Sequence, residues 1–110
     1  MARESVVDLN FTQRQYWQIK DDIPMASIDL FSGYIQGMGE NALYEKMNLT
    51  NKLLNEMEKV MHFDGRSWER CNCKITWSEE LIDSLNPDHF QIESREENDV
   101  SITFLWNRTY

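Results

Sequence analysis

The sequence predicts an α+β fold: N-terminal helices, two of them forming a hairpin, packed on one face of a small three-stranded antiparallel sheet. Three observations carry that expectation. Apolar residues recur at helical spacing between Thr12 and Met61. The period switches to two at Cys71, and Glu96-Glu97-Asn98-Asp99, composed like a four-residue hairpin loop, divides two further alternating runs. The chain has 110 residues, 41% of them hydrophobic and 27% charged. That length can bury one core without disulfide or metal staples, so residues 1–110 are expected to form a single domain.

Val7, Leu9 and Phe11 alternate only weakly, so residues 5–9 fit either a strand or a helical lead-in and stay unassigned. Thr12 as N-cap with Gln15 three residues on matches a capping box, and Phe11 against Tyr16 matches a hydrophobic staple; a short helix to about Lys20 follows. Asp21-Asp22-Ile23-Pro24 reads as a second helix start, with acids near the positive end of the dipole and proline where no amide donor is needed. Ile28, Phe31, Ile35 and Met38 then recur at helical spacing until Gly37-Met38-Gly39 stops the helix. Leu43, Met47, Leu54, Met57 and Met61, thickened by Leu53 and Val60, mark a third, long amphipathic helix with Asn41, Glu45, Asn48, Lys52, Asn55 and Lys59 opposite. The tight connection implies an antiparallel hairpin in which Gly33 and Gly37 let the backbones approach.

From Phe63 to Ser67 the composition is that of a turn. Cys71, Cys73, Ile75 and Trp77 then alternate with Arg70, Asn72, Lys74 and Thr76, as in a half-buried antiparallel strand. Ser78 caps a short helix through Leu85, which Asn86-Pro87 ends. Phe90 and Ile92, then Val100, Ile102, Phe104 and Trp106, supply the last two strands.

That strand assignment decides the chemistry of the cysteines. On one face with Ile75 and Trp77, Cys71 and Cys73 read as small core hydrophobes. Structural zinc takes four ligands, usually from two paired clusters, and only His62 and His89 remain to complete a set. A redox pair has two residues between its cysteines and a helix N-terminus beside it, and neither is present. No metal site and no cofactor are expected. His89 falls on the polar face of its strand and reads as a solvated histidine, while His62 ends the long helix, where a cation favours the dipole. Ser84 lies near Asp88-His89, but sequence order alone does not make a triad. Gly33, Gly37 and Gly39 lack the preceding strand and the lysine of a phosphate-binding loop. Met25, Met38, Met47, Met57 and Met61 read as core filler, whereas Trp68, outside the periodic pattern, is a candidate anchor for a partner. No catalytic residues are expected.

The formal charge is −8, and its distribution is uneven. Residues 79–99 hold Glu79, Glu80, Asp83, Asp88, Glu93, Glu96, Glu97 and Asp99 against a single base, Arg95. A field of that sign repels phosphate backbones and anionic membranes and attracts cationic protein surfaces. The helix-rich start and terminal hairpin resemble the element order of winged-helix DNA-binding modules. A recognition helix should be basic, however, whereas Glu79-Glu80-Leu81-Ile82-Asp83 is acidic and the wing-like tip carries Glu96, Glu97 and Asp99. Direct nucleic-acid binding is thereby disfavoured. No apolar run reaches the length of a membrane span or signal peptide, and two cysteines fit a reducing compartment, so a cytoplasmic protein without membrane contact is expected.

The expectation is therefore a small acidic interaction module, an inhibitor or regulator of immunity, anti-defence or phosphate-mimic type. Its partner would present a basic surface, as a nuclease, toxin or other nucleic-acid enzyme does. The expected contact residues are Glu79, Glu80, Asp83, Glu93, Glu96, Glu97, Asp99 and Trp68. A second reading is a small enzyme or ligand-binding domain using Asp88, His89 and the polar sheet face of Lys74, Thr76, Gln91, Glu93 and Arg95. A third is a structural subunit of a complex.

Overall fold

A computed structural model describes residues 3–34, 41–63 and 68–106. In chain order the elements are β1 (Glu4–Thr12), α1 (Gln13–Asp21), α2 (Ile23–Leu30), α3 (Asn41–Val60), β2 (Arg70–Ser78), α4 (Glu79–Asp83), β3 (Phe90–Glu96) and β4 (Asp99–Phe104). The α+β class holds, but the three-stranded antiparallel sheet does not. The sheet has four strands in the order β2-β1-β4-β3, with β1 antiparallel to β2 and parallel to β4, and β3 antiparallel to β4.

The strand over the unassigned residues 5–9, β1, is central. Ser5, Val7, Leu9 and Phe11 are all buried, but Ser5 is polar and Val6 on the other face is apolar, which blurs the period-two signal. Its parallel neighbour is distant in sequence, with Val6 opposite Asp99 and Asn10 opposite Thr103. A parallel pair needs a long crossover and no local turn announces it.

The expected capping box is present. Thr12 Oγ1 accepts from the Gln15 amide at 3.3 Å, and Gln15 Oε1 accepts from the Thr12 amide at 2.8 Å. Asp22 caps α2 with Pro24 in its first turn, but α2 ends at Leu30, with Phe31 as its C-cap. The expected stop at Gly37-Met38-Gly39, and with it Ile35, lies outside the described residues, as do residues 64–67 of the expected turn. Because α2 is short, its buried stripe is Ala26, Ser27 and Leu30, and two residues read as core, Met25 and Ile28, are exposed. In α3 the buried positions are Thr50, Leu53, Leu54 and Met57, with Met61 just beyond.

Close approach of α2 and α3 comes from small polar residues rather than glycine. The hydroxyls of Ser27 and Thr50, both fully buried, lie 2.6 Å apart. Each also faces a carbonyl of its own helix, Ile23 O at 2.6 Å and Lys46 O at 2.9 Å. A Cβ at Gly33 would meet the backbone oxygen of Ser84 at 2.7 Å. That glycine therefore admits the turn after α4, not the neighbouring helix; Gly37 is outside the described residues.

The helices lie on one face of the sheet. Val7, Leu9, Cys73, Ile75, Trp77, Val100, Ile102 and Phe104 point into the core they share with Tyr16, Ile19, Leu30, Leu53 and Met57. An aromatic chain closes one flank: Trp77, Phe31, Phe90, Phe104 and Trp106 follow one another with ring centroids 5.1–6.4 Å apart. Ile92, expected to complete this face, is 42% exposed. It sits on an edge strand that the five residues of α4 do not cover, beside an open groove of about 260 Å³.

Candidate protein-interaction surface

The topology brings the start of β1, the end of β2, the end of β3 and the start of β4 to the same end of the sheet. Glu4 lies opposite Ser78, Val6 opposite Asp99, and Asp99 opposite Glu96. Since α4 begins directly after Ser78, the acids of the short helix and those of the β3–β4 turn meet there although 13 or more positions separate them in sequence. The turn is tight: Asn98 adopts φ 68°, a left-handed conformation that asparagine tolerates, and its carbonyl accepts from the Val6 amide at 2.8 Å.

Two arginines enter this cluster. Arg95 holds Asp83 at 2.8 Å and Glu79 at 2.9 Å, while Arg3 approaches Glu79 at 3.8 Å and Glu97 at 3.7 Å. Glu79 also accepts from Ser5 Oγ at 3.1 Å. The Asp83 carboxylate foremost, with Glu79, holds the Arg95 guanidinium charged and pushes its pKa further up. Glu79 thus serves as an internal tie, whereas Glu80, Glu96 and Asp99 are exposed without an ion pair among the described residues.

Arg95 reaches this position through a register shift. Ile92 pairs with Ile102 but Ser94 with Ser101, so Glu93 is the extra residue of a β-bulge. Beyond it the facing of side chains reverses, and Arg95, opposite Val100, stands on the helix-bearing side. The polar face proposed from sequence therefore does not assemble. Arg95 has left it, and Lys74 and Thr76 on β2 are separated from Gln91 on β3 by the two inner strands, roughly 14 Å at ordinary strand spacing.

His89 is not a solvated histidine either. Its Nε2 lies 2.9 Å from Asp29 Oδ2, its side chain is 20% exposed, and the same carboxylate oxygen accepts from Trp106 Nε1 at 2.9 Å. Asn86 Nδ2 donates to the Asp29 carbonyl at 2.8 Å. The cluster fastens α2 to the entry of β3 and the exit of β4. Ser84 Oγ donates to the Leu81 carbonyl at 2.9 Å, so no serine–histidine pair forms. The partner that defines His89's role, Asp29, is too far away in sequence to be read from pattern.

Trp68 lies at the opposite end of the molecule from the acids, next to the pairing of Arg70 with Thr12. The residue is 69% exposed, and the Arg14 guanidinium stands 4.4 Å from the centroid of its ring. Trp17 and Phe63, exposed by 43% and 60%, meet edge to face nearby in the fold, at the α1 side. The expected contact residues thus separate into an acidic end (Glu79, Glu80, Asp83, Glu96, Glu97, Asp99), the bulge at Glu93, and a distant aromatic site at Trp68.

Cys73 is buried and burial, with Glu56, Cys71 and Asp8 adding to it, pushes its thiol up to about 12. Cys71 is half-buried, its pKa raised by burial and then by Glu69, with the Gln13 side chain opposing. Both are free. Among the described residues no cluster of histidine, cysteine and carboxylate groups is placed to hold a metal ion, and no helix is long and apolar enough to cross a membrane. Comparison of the chain with protein-family models, with curated proteins and with solved structures gave no match, so the role of this surface rests on its own residues.

Proposed function

We propose that this chain is an acidic protein-interaction module that binds, and inhibits or regulates, a partner through that partner's basic surface. The observation that carries the reading is the convergence of Glu80, Glu96, Glu97 and Asp99 at one end of the sheet, on a framework tied by Arg3, Arg95 and Glu79. Carboxylates set on such a framework resemble in charge the phosphates that nucleases, toxins and other nucleic-acid enzymes are built to hold, and they steer a cationic surface into contact. A cytoplasmic setting fits the two free thiols.

The test is affinity capture by the parent and by a Glu80→Lys, Glu96→Lys, Asp99→Lys variant, followed by association rates across a salt series. A partner retained by the parent should be lost by the variant. Its association rate should fall at least about tenfold between low and physiological salt, with the melting temperature of the two proteins alike. Equal capture and equal salt slopes would refute the reading and move the contact to the Arg14, Trp17, Phe63 and Trp68 end.

A further inference from the structure

The two edges of the sheet are not equivalent. β3 is broken by the Glu93 bulge, which twists an edge away from pairing. β2 keeps unbroken register with β1 from Arg70 to Ser78. The Gln13 amide donates to Glu69 O at 3.3 Å and the Glu79 amide to Arg3 O at 2.7 Å. These bonds set the phase of the ladder: odd-numbered residues of β2 bond to β1, so the amides and carbonyls of Asn72, Lys74 and Thr76 point to the free edge. Among the described residues no backbone group pairs with them there.

Alongside that edge runs an open groove of about 640 Å³ between α3 and β2. Lys52, Asn55, Glu56, Glu58 and Lys59 line its helix side and Lys74, Ile75 and Thr76 its strand side, with the Glu58 carboxylate accepting from the Tyr16 hydroxyl at 3.3 Å. The chain's lysines are Lys20, Lys46, Lys52, Lys59 and Lys74, so three of the five flank this edge in a protein of net charge −8, Lys52 and Lys59 from the helix side and Lys74 from the outer face of the sheet. Lys59 shares its charge with Glu56 at 2.9 Å and Lys74 approaches Asp8 at 3.9 Å, while Lys52 has no ion pair among the described residues.

We propose that the free edge of β2 is a docking site for an extended acidic segment of a partner protein, which adds to the sheet as a fifth strand. The outward amides and carbonyls of Asn72, Lys74 and Thr76 supply the main-chain bonds, and Lys52, Lys59 and Lys74 select carboxylates on the incoming chain. A second copy of this protein is the wrong occupant. Pairing β2 with β2 would bring two sets of these lysines together, and like charges across a strand pair are destabilising. The site is separate from the acidic end, and charge reversal at Glu96 and Glu97 leaves it intact.

The probes are two fluorescent eight-residue peptides, one alternating threonine with glutamate and one alternating threonine with lysine. The acidic peptide should bind at least about tenfold more tightly. Its largest amide shifts, with new exchange protection, should fall on Asn72, Lys74 and Thr76. Thr76→Pro removes an outward amide that β1 does not use, so it should keep the parent's melting temperature within a few degrees and weaken the peptide about tenfold or more. Lys52→Glu, on the exposed side of α3, should reduce or reverse the charge preference, and it carries the test alone if Thr76→Pro does not fold. The proposal is overturned by equal binding of the two peptides, by no binding at millimolar concentration, by unchanged amides on β2, or by indifference of both variants. It is equally overturned if an oligothymidylate displaces the acidic peptide, or if sedimentation shows the protein dimerising through this edge.

Discussion

Gln15 shows how much one side chain can join. Its Oε1 closes the capping box, while its Nε2 donates to the carbonyls of Phe104 at 3.0 Å and Trp106 at 3.1 Å, clamping the exit of β4 to the start of α1. The capping role is legible in sequence because it spans three residues; the clamp is not, because its acceptors are some ninety positions away. Gln15→Glu separates the two roles. Glutamate is a favoured capping-box residue, so a purely local role predicts no loss. Here a carboxylate would face two carbonyls, and urea unfolding should show Gln15→Glu at least as unstable as Gln15→Ala, each by roughly 1–3 kcal/mol. Cys73 supplies a second residue-scale expectation. Burial pushes its thiol up to about 12 in the folded protein, from an ordinary value of 9.0. The associated stability is complete below pH 9, since both states are then protonated, and it is lost between pH 9 and about 12 as the unfolded thiol ionises alone. The slope added by this group should approach about 1.4 kcal/mol per pH unit. Cys73→Ala should lack that component when the alkaline limbs of the two proteins are compared.

At the level of elements, the long helix and β2 are legible because each repeats one period toward the core, although Thr50 interrupts the apolar stripe of α3 and Leu43 and Val60 at its two ends are exposed. The end of α2 and the bulge of β3 were not, since both depend on what lies across the gap. Ser27 and Thr50 are the instructive pair. Two hydroxyl hydrogens face three short contacts, so at most two are satisfied at once, and the pair serves spacing more than bonding. Thr50→Val, which keeps the shape and leaves Ser27 bonded to its own helix, should therefore alter unfolding free energy by less than about 1 kcal/mol. Ser27→Leu forces the helices apart and should cost about 1–3 kcal/mol. Equal effects of the two substitutions would mean that the hydrogen bonds, not the space, hold the crossing.

Across the whole molecule, the acidic run is legible in the sequence, but the arginines threaded through it are not. Arg3 lies outside the run, and Arg95 reaches the cluster only because a bulge reverses its facing. The same topology separates the acidic end from Arg14, Trp17, Phe63 and Trp68 by the length of the sheet, giving the molecule two chemically opposite poles. β2's open edge lies between them, so the surfaces named in the two proposals share no residues.

The parallel pairing of β1 with β4 also sets when the fold can appear during synthesis. Residues 6–10 wait for residues 99–103 before the centre of the sheet exists, and β3 reaches β1 only through β4. Nearly the whole chain must be made before its most non-local contacts close, a topology that folds slowly because loop closure precedes the contacts that reward it. Until then Val7, Leu9 and Phe11 remain available to chaperones or to other chains. A polypeptide ending at residue 96 should accordingly melt without a cooperative transition, whereas one ending at residue 106 should regain it.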